Sequence, residues 1–173
     1  MRQRCSACST TPRTATLPET AANDGIAGAE GHFRALETLY ASAPINTLFQ
    51  SRLEIPGPGH ARIKFTIDEP VFHAAGAAHG TIYFKMLDDA AFYAANSMVS
   101  DRFLLTTGFT LHFTKPVRTG EVIAEGRWIS GKRRVFIAEA QLIDAAGDEI
   151  GRGTGTFMRS HIALAGLPGY RIA

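Results

Sequence analysis

Residues 79–97, HGTIYFKMLDDAAFYAANS, constrain this chain more than any other segment, because they read as one helix that is apolar on almost every side yet carries two adjacent carboxylates, Asp88 and Asp89. A helix with that pattern is built for burial. An ionised carboxylate taken out of water is costly unless a neighbour compensates it, so each of the two is either paired or kept for chemistry. Lys85, one turn before Asp89, offers it an ion pair. Asp88 has Phe84, Ala91, Phe92 and Ala95 as its one-turn neighbours, and Lys85 only three residues back. It is the odder of the two and the better candidate for chemistry.

The 173 residues suit one domain, and 45% apolar with 20% charged residues is ordinary globular composition. Eighteen Lys and Arg against sixteen Asp and Glu leave a net charge of +2, too little for a nucleic-acid or membrane-surface footprint. No apolar run approaches the roughly 20 residues that cross a bilayer. The expected setting is cytoplasmic. Cys5 and Cys8 form a single CxxC in a polar stretch without further Cys or His at zinc spacing, so they read as tail thiols and no metal is expected. Residues 1–29 are rich in Ser, Thr, Ala and Pro and read as a disordered extension. A domain follows over 30–160, and 161–173 form a C-terminal tail.

Phe33, Leu36, Leu39 and Tyr40 recur at helical spacing, and Pro44 stops that pattern. LFQSRLEI and HARIKFTI are strand-like runs separated by Pro56, Gly57, Pro58 and Gly59, which predicts a hairpin. Beyond the apolar helix come four more runs: TTGFTLHFTKPV, EVIAEGRWIS, RVFIAEAQLI and EIGRGTGTFMR. Period-two ordering puts Thr107, Phe109, Leu111 and Phe113 on one face, and turn residues at Gly120, Gly131–Arg133 and 145–148 suit antiparallel connections. The fold class is α+β, an antiparallel sheet of five or six strands with one long buried helix. Gly151, Gly153 and Gly155 leave one face of the last strand bare, where a helix could approach closely. GRGTGT is no phosphate loop, because no helix-like segment follows it.

At the start of the central helix, Gly76, His79 and Gly80 surround backbone N–H groups that have no partner within the helix, at the positive end of its dipole. That is a place to hold a developing oxyanion, and with Asp88 it supplies the electrophilic and basic components of acyl transfer. The two are separated by roughly 13 Å of helix, so they combine more readily across two subunits than within one.

These residues resemble the hotdog-fold acyl-CoA thioesterases, in the phenylacetate-pathway (PaaI-like) branch, over roughly residues 31–160. The family pattern N-x-x-G-x-x-H-G-G followed by L-x-D-x-A stands here as His73-Ala74-Ala75-Gly76-Ala77-Ala78-His79-Gly80-Thr81 and Leu87-Asp88-Asp89-Ala90. Downstream, TLHFTKPVRTGEVI and GKRR resemble the family's next strand, turn and hairpin. The resemblance implies a hotdog fold, the sheet wrapped around the central helix, and a thioesterase that hydrolyses an acyl-CoA to carboxylic acid and free coenzyme A. Asp88 takes the position of general base or nucleophile and the Gly80 N–H that of oxyanion donor. His73, His79 and Thr106 complete the catalytic set, Thr106 where the family often has a Ser or Thr that assists water.

The resemblance also implies a homodimer, which could pair further into a dimer of dimers, with acid and oxyanion donor from different protomers. Arg118, Lys132, Arg133 and Arg134 are candidates for the coenzyme A phosphates, no separate cofactor is needed, and neither nucleic acid nor membrane is an expected partner. Two departures stand out: His73 replaces the usual Asn, and Thr81 replaces the second Gly of HGG. A noncatalytic acyl-CoA-binding hotdog protein is the alternative of a different class. A hotdog hydratase lacks its motifs here. Phe84, Phe92, Tyr93 and Phe109 are open between pocket lining and core.

Overall fold

The computed structural model describes residues 19–172, with side chains from Ala29 onward. Cys5 and Cys8 lie outside the described residues. A helix α1 (Glu19–Ser42) is followed by strands β1 (Ser51–Gly57) and β2 (His60–Ile67), the helix α2 (Gly80–Asn96), and strands β3 (Arg102–Phe113), β4 (Gly120–Ser130), β5 (Val135–Asp144) and β6 (Glu149–Ala163). The six strands form one antiparallel sheet in the order β1-β2-β4-β5-β6-β3, wrapped around α2. This is the α+β hotdog architecture. The expected hairpin is β1–β2, turned at Pro58 and Gly59.

Helix α1 starts at Glu19, inside the stretch 1–29 read as a disordered extension, and the rest of that stretch, 1–18, lies outside the described residues. The segment after residue 160 is also held. Strand β6 runs to Ala163, and Tyr170 is buried with its hydroxyl 2.7 Å from Nδ1 of the buried His32 on α1. The other ring nitrogen, Nε2, donates to the carbonyl of Asn96 at the end of α2, at 3.2 Å. His32 therefore ties α1, α2 and the C-terminal segment together, and burial keeps its pKa below the ordinary histidine value.

Helix α2 buries Met86, Leu87, Ala90, Ala91, Ala94 and Ala95 completely. Its closest approach to the sheet is at Gly126 on β4, where a Cβ would lie 2.0 Å from the Ala90 carbonyl oxygen. That position, rather than β6, is where the helix needs glycine. The bare face of β6 is filled from its own sheet: a Cβ on Gly153 would meet the Phe109 ring of β3 at 2.3 Å, and one on Gly155 would meet it at 2.6 Å. The sheet's two edges differ. Edge β1 is covered by α1, where Glu37 accepts the Ile55 N–H at 2.6 Å and Arg34 donates to the Ile55 carbonyl at 2.9 Å. Edge β3 has no such cover among the described residues and exposes Leu105 and Phe113.

Replacing Gly126 with Ala forces helix and sheet apart and should destabilise the protein by about 3 kcal/mol or more. Gly57→Ala, whose added Cβ meets nothing within 4 Å, should change stability little. Chemical denaturation of the two variants beside wild type reads the difference directly.

Candidate active site

The loop before α2 is a compact turn. The His73 N–H donates to the Ala77 carbonyl at 2.8 Å, the Gly76 N–H donates to the His73 carbonyl at 2.9 Å, and the His73 ring Nδ1 accepts the Ala75 N–H at 3.0 Å. Gly76 has φ +75°, a left-handed conformation that a side chain would strain. The Ala78 N–H donates to the Val117 carbonyl at 2.8 Å, while the Tyr83 hydroxyl accepts the Val117 N–H at 2.9 Å and donates to the Lys115 carbonyl at 3.2 Å. These bonds hold the Lys115–Arg118 turn, and with it Arg118, against the first turn of α2.

His79 is the N-cap of α2, its Nδ1 accepting the Thr81 N–H at 3.2 Å. The Gly80 N–H has no hydrogen-bond partner among the described residues and stands at the positive end of the helix dipole. The Phe113 ring covers Gly80, 3.2 Å from where a Cβ would be, and stacks edge-on against Tyr83 with centroids 5.3 Å apart.

Two turns along α2, Asp88 meets β3. The Thr106 hydroxyl donates to Asp88 Oδ1 at 3.0 Å, with Oδ2 at 3.4 Å. Burial pushes the Asp88 pKa up to about 6, opposed by the Thr106 hydroxyl and the Lys85 charge and reinforced by Asp89. A β-bulge makes the contact possible. Thr106 pairs with Phe157 and Gly108 with Thr156, so Thr107 is an extra residue and its hydroxyl bonds the Thr156 carbonyl instead, at 3.0 Å. Strict alternation would put Thr106 and Phe109 on opposite faces. With the bulge both face α2, Thr106 on Asp88 and Phe109 edge-on against Phe84 with centroids 5.7 Å apart. The expected run of Thr107 with Phe109, Leu111 and Phe113 is broken at Thr107 for this reason; the signal was Gly108 inside a strand.

Asp89 is paired as its spacing predicts. It forms a salt bridge with Lys85, whose Nζ also donates to Asn46 Oδ1 at 2.7 Å and lies over the Tyr40 and Phe49 rings, 5.4 and 5.5 Å from their centroids. Burial raises the Asp89 pKa against the Lys85 charge. Asn46 and the two rings gave no signal in the sequence, since they come from α1 and the turn after it. Of the four aromatics left open, Phe92 and Tyr93 are core, whereas Phe84 is 42% exposed and Phe109, edge-on against it, partly so.

Within one protomer the predicted residues fall into two groups. His73, His79, Gly80 and Arg118 gather at the start of α2. Asp88, at the middle of α2, and Thr106 form the second group, and the hairpin bearing Lys132, Arg133 and Arg134 is joined to β6 by the Arg159 N–H bonded to the Arg134 carbonyl at 2.9 Å. All four basic side chains are exposed and unpaired among the described residues. A concavity of about 680 Å³ is on the outer face of the sheet away from Asp88, and its Arg127 and Arg152 are already paired with Glu139 and Glu149. A smaller one of about 110 Å³ lies beside Phe49, Ile82 and Met86. Among the described residues no three His, Cys, Asp or Glu side chains converge to hold a metal, and no helix is long and apolar enough to cross a membrane.

The folded state holds the Asp88 proton more tightly than the unfolded chain, whose ordinary value is 3.8. This group therefore favours folding below about pH 4, and that contribution disappears as pH rises to about 6. Above pH 6 a buried charge opposes folding. Asp88→Asn should be more stable than wild type at pH 8, by about 1–2 kcal/mol after allowing for partial exposure, and no more stable at pH 4. Thermal melts at the two pH values check both the size and the sign.

The model of the thioesterase superfamily matches residues 75–150, which run from within the α2 loop through Asp88 and β3–β5 to the start of β6. A provisionally named esterase of Saccharolobus solfataricus is 26% identical over 100 residues, covering 58% of this chain and 67% of that protein. The solved PaaI protein from the phenylacetic acid degradation operon of Escherichia coli superposes with a TM-score of 0.72 at 14% identity, over 78% of this chain and 97% of that one. A Streptococcus mutans protein solved with acetyl-CoA superposes with a TM-score of 0.59 at 15% identity, over 64% of this chain and 89% of that one. The chain is a hotdog-fold protein that resembles the thioesterase superfamily and its PaaI-like members, with the superfamily's pattern carried by residues 75–150.

Proposed function

We propose that this protein is a cytoplasmic acyl-CoA thioesterase, releasing a carboxylic acid and free coenzyme A, and that it works as a homodimer. At the coarser level, the superfamily match and the esterase relative support a thioester hydrolase. The observation that carries the finer reading is Asp88, a carboxylate with a proton affinity near neutrality, aimed by Thr106 on the same helix whose first turn presents a free Gly80 N–H. The ionised Asp88 takes a proton from a water whose oxygen attacks the thioester carbonyl, or attacks that carbonyl itself to give an acyl anhydride that water then hydrolyses, and the Gly80 N–H stabilises the oxyanion. Coenzyme A leaves as the thiol after taking up a proton.

The dimer reading rests on the uncovered edge. Two β3 strands meeting antiparallel across a twofold axis extend the sheet, and the axis reverses the ends of α2. Asp88 of one protomer then approaches Gly80 of the other, and the Lys132–Arg134 hairpin approaches the second Arg118. Both pairs that are far apart in one chain are matched by the same operation. Those four cations are the candidates for the coenzyme A phosphates. The acetyl-CoA complex of the Streptococcus mutans protein makes a coenzyme A thioester a reasonable first ligand.

Free-thiol release from aryl, short-chain and medium-chain acyl-CoAs tests the reading. Asp88→Asn should lower kcat by about a hundredfold or more on any substrate the wild type accepts. Full activity in that variant would reject the mechanism, and tight binding of acyl-CoA without turnover would identify a binding protein. The rate should rise with pH through about 6 as Asp88 ionises. Sedimentation should give twice the 18.7 kDa chain mass.

A further inference from the structure

Thr81 stands where the superfamily pattern has a second glycine, and its side chain is engaged. The Thr81 hydroxyl lies 3.0 Å from His79 Nδ1, the same nitrogen that accepts the Thr81 backbone N–H at 3.2 Å. A backbone amide can only donate, so Nδ1 carries no proton in this arrangement. The hydroxyl must then be a second donor to the same nitrogen. Both contacts stabilise one tautomer of the neutral ring, with the proton on Nε2. His79 is exposed and immediately precedes Gly80, whose N–H is free.

We infer that Thr81 is a positioning residue: its hydroxyl, added to its backbone N–H, strengthens the hold on His79 as an Nε2–H donor, which contributes a hydrogen bond to the thioester carbonyl oxygen beside the Gly80 N–H. The assignment rests on the thioesterase reading above for its substrate and on the Thr81–His79 geometry for its chemistry. A neutral imidazole suits the place. An imidazolium would give up the Nδ1 lone pair that caps the helix and would put a cation at the positive end of its dipole. A ring free to exchange tautomers would present Nε2 as an acceptor part of the time and repel the developing oxyanion. A glycine at this position offers only the backbone donor. Threonine adds the second, and its β-branch restricts the hydroxyl to few rotamers.

The test compares Thr81→Val, which keeps the shape and removes the donor, with Thr81→Ser, which keeps the donor, each in wild-type and His79→Ala backgrounds. Thr81→Val should lower kcat about fivefold with KM little changed, Thr81→Ser should recover most of it, and Thr81→Val should have no further effect once His79 is absent. Equal activity of Thr81→Val and wild type, or a loss that persists undiminished with His79→Ala, would overturn the role of Thr81 while leaving the thioesterase reading intact. Should no acyl-CoA be hydrolysed, the thioesterase reading fails, and the ¹⁵N spectrum of the His79 ring decides the remaining claim. An unprotonated Nδ1 in wild type that becomes mixed in Thr81→Val supports the lock, and a protonated Nδ1 in neutral wild type overturns it.

Discussion

The close approach of α2 to the sheet at Gly126 is the constraint on which the rest depends. With the Ala90 carbonyl seated where a side chain would otherwise be, the helix can present only compact residues to β4, and its rotation about its own axis is fixed. That rotation decides which residues face the sheet and which lie along its flank. Leu87, Ala90 and Ala94 are fully buried, while Thr81, Phe84 and Asp88, one or two turns apart, fall on the strip beside β3. Asp88 is thus removed from water by the same packing that gives the domain its core, without being placed inside it.

The two neighbouring carboxylates show how environment separates chemically identical groups. Asp89 points toward α1 and has an ammonium, an amide and two aromatic rings around its partner Lys85, a set suited to holding the helix in place. Asp88 has one hydroxyl and no cation in direct contact among the described residues, so desolvation dominates and its proton is held near neutrality. One residue of helix, about 100° of rotation, is enough to divide a structural role from a chemical one.

Much of this was legible in the sequence because it depends on local periodicity. The apolar helix, the β1–β2 hairpin, the antiparallel run of strands, the Lys85–Asp89 pair and the isolation of Asp88 all follow from spacings of two, three or four residues. What was not legible depends on partners distant in the chain. The glycines of β6 were correctly read as a bare face, but only the folded sheet shows that Phe109 fills it and that the helix comes nearest at Gly126. The tie of Tyr170 to His32 spans most of the chain and leaves no periodic trace. Helix α1 begins earlier than its amphipathic pattern, in a stretch whose Gly25 and Gly28 gave no helical signal.

The extra residue in β3 has an evolutionary meaning as well as a geometric one. The strand carries two phases of alternation joined at Thr107, the residue that the ladder leaves over. Loss of that single codon would leave Thr106 opposite Phe157 and Gly108 opposite Thr156 in a regular ladder, with Thr106 still directed at Asp88. A lineage can therefore gain or shed the bulge by one in-frame insertion or deletion in an edge strand without disturbing any residue that does chemistry. Drawing Thr107 into the ladder instead would turn Thr106 to the other face and leave the carboxylate unaimed.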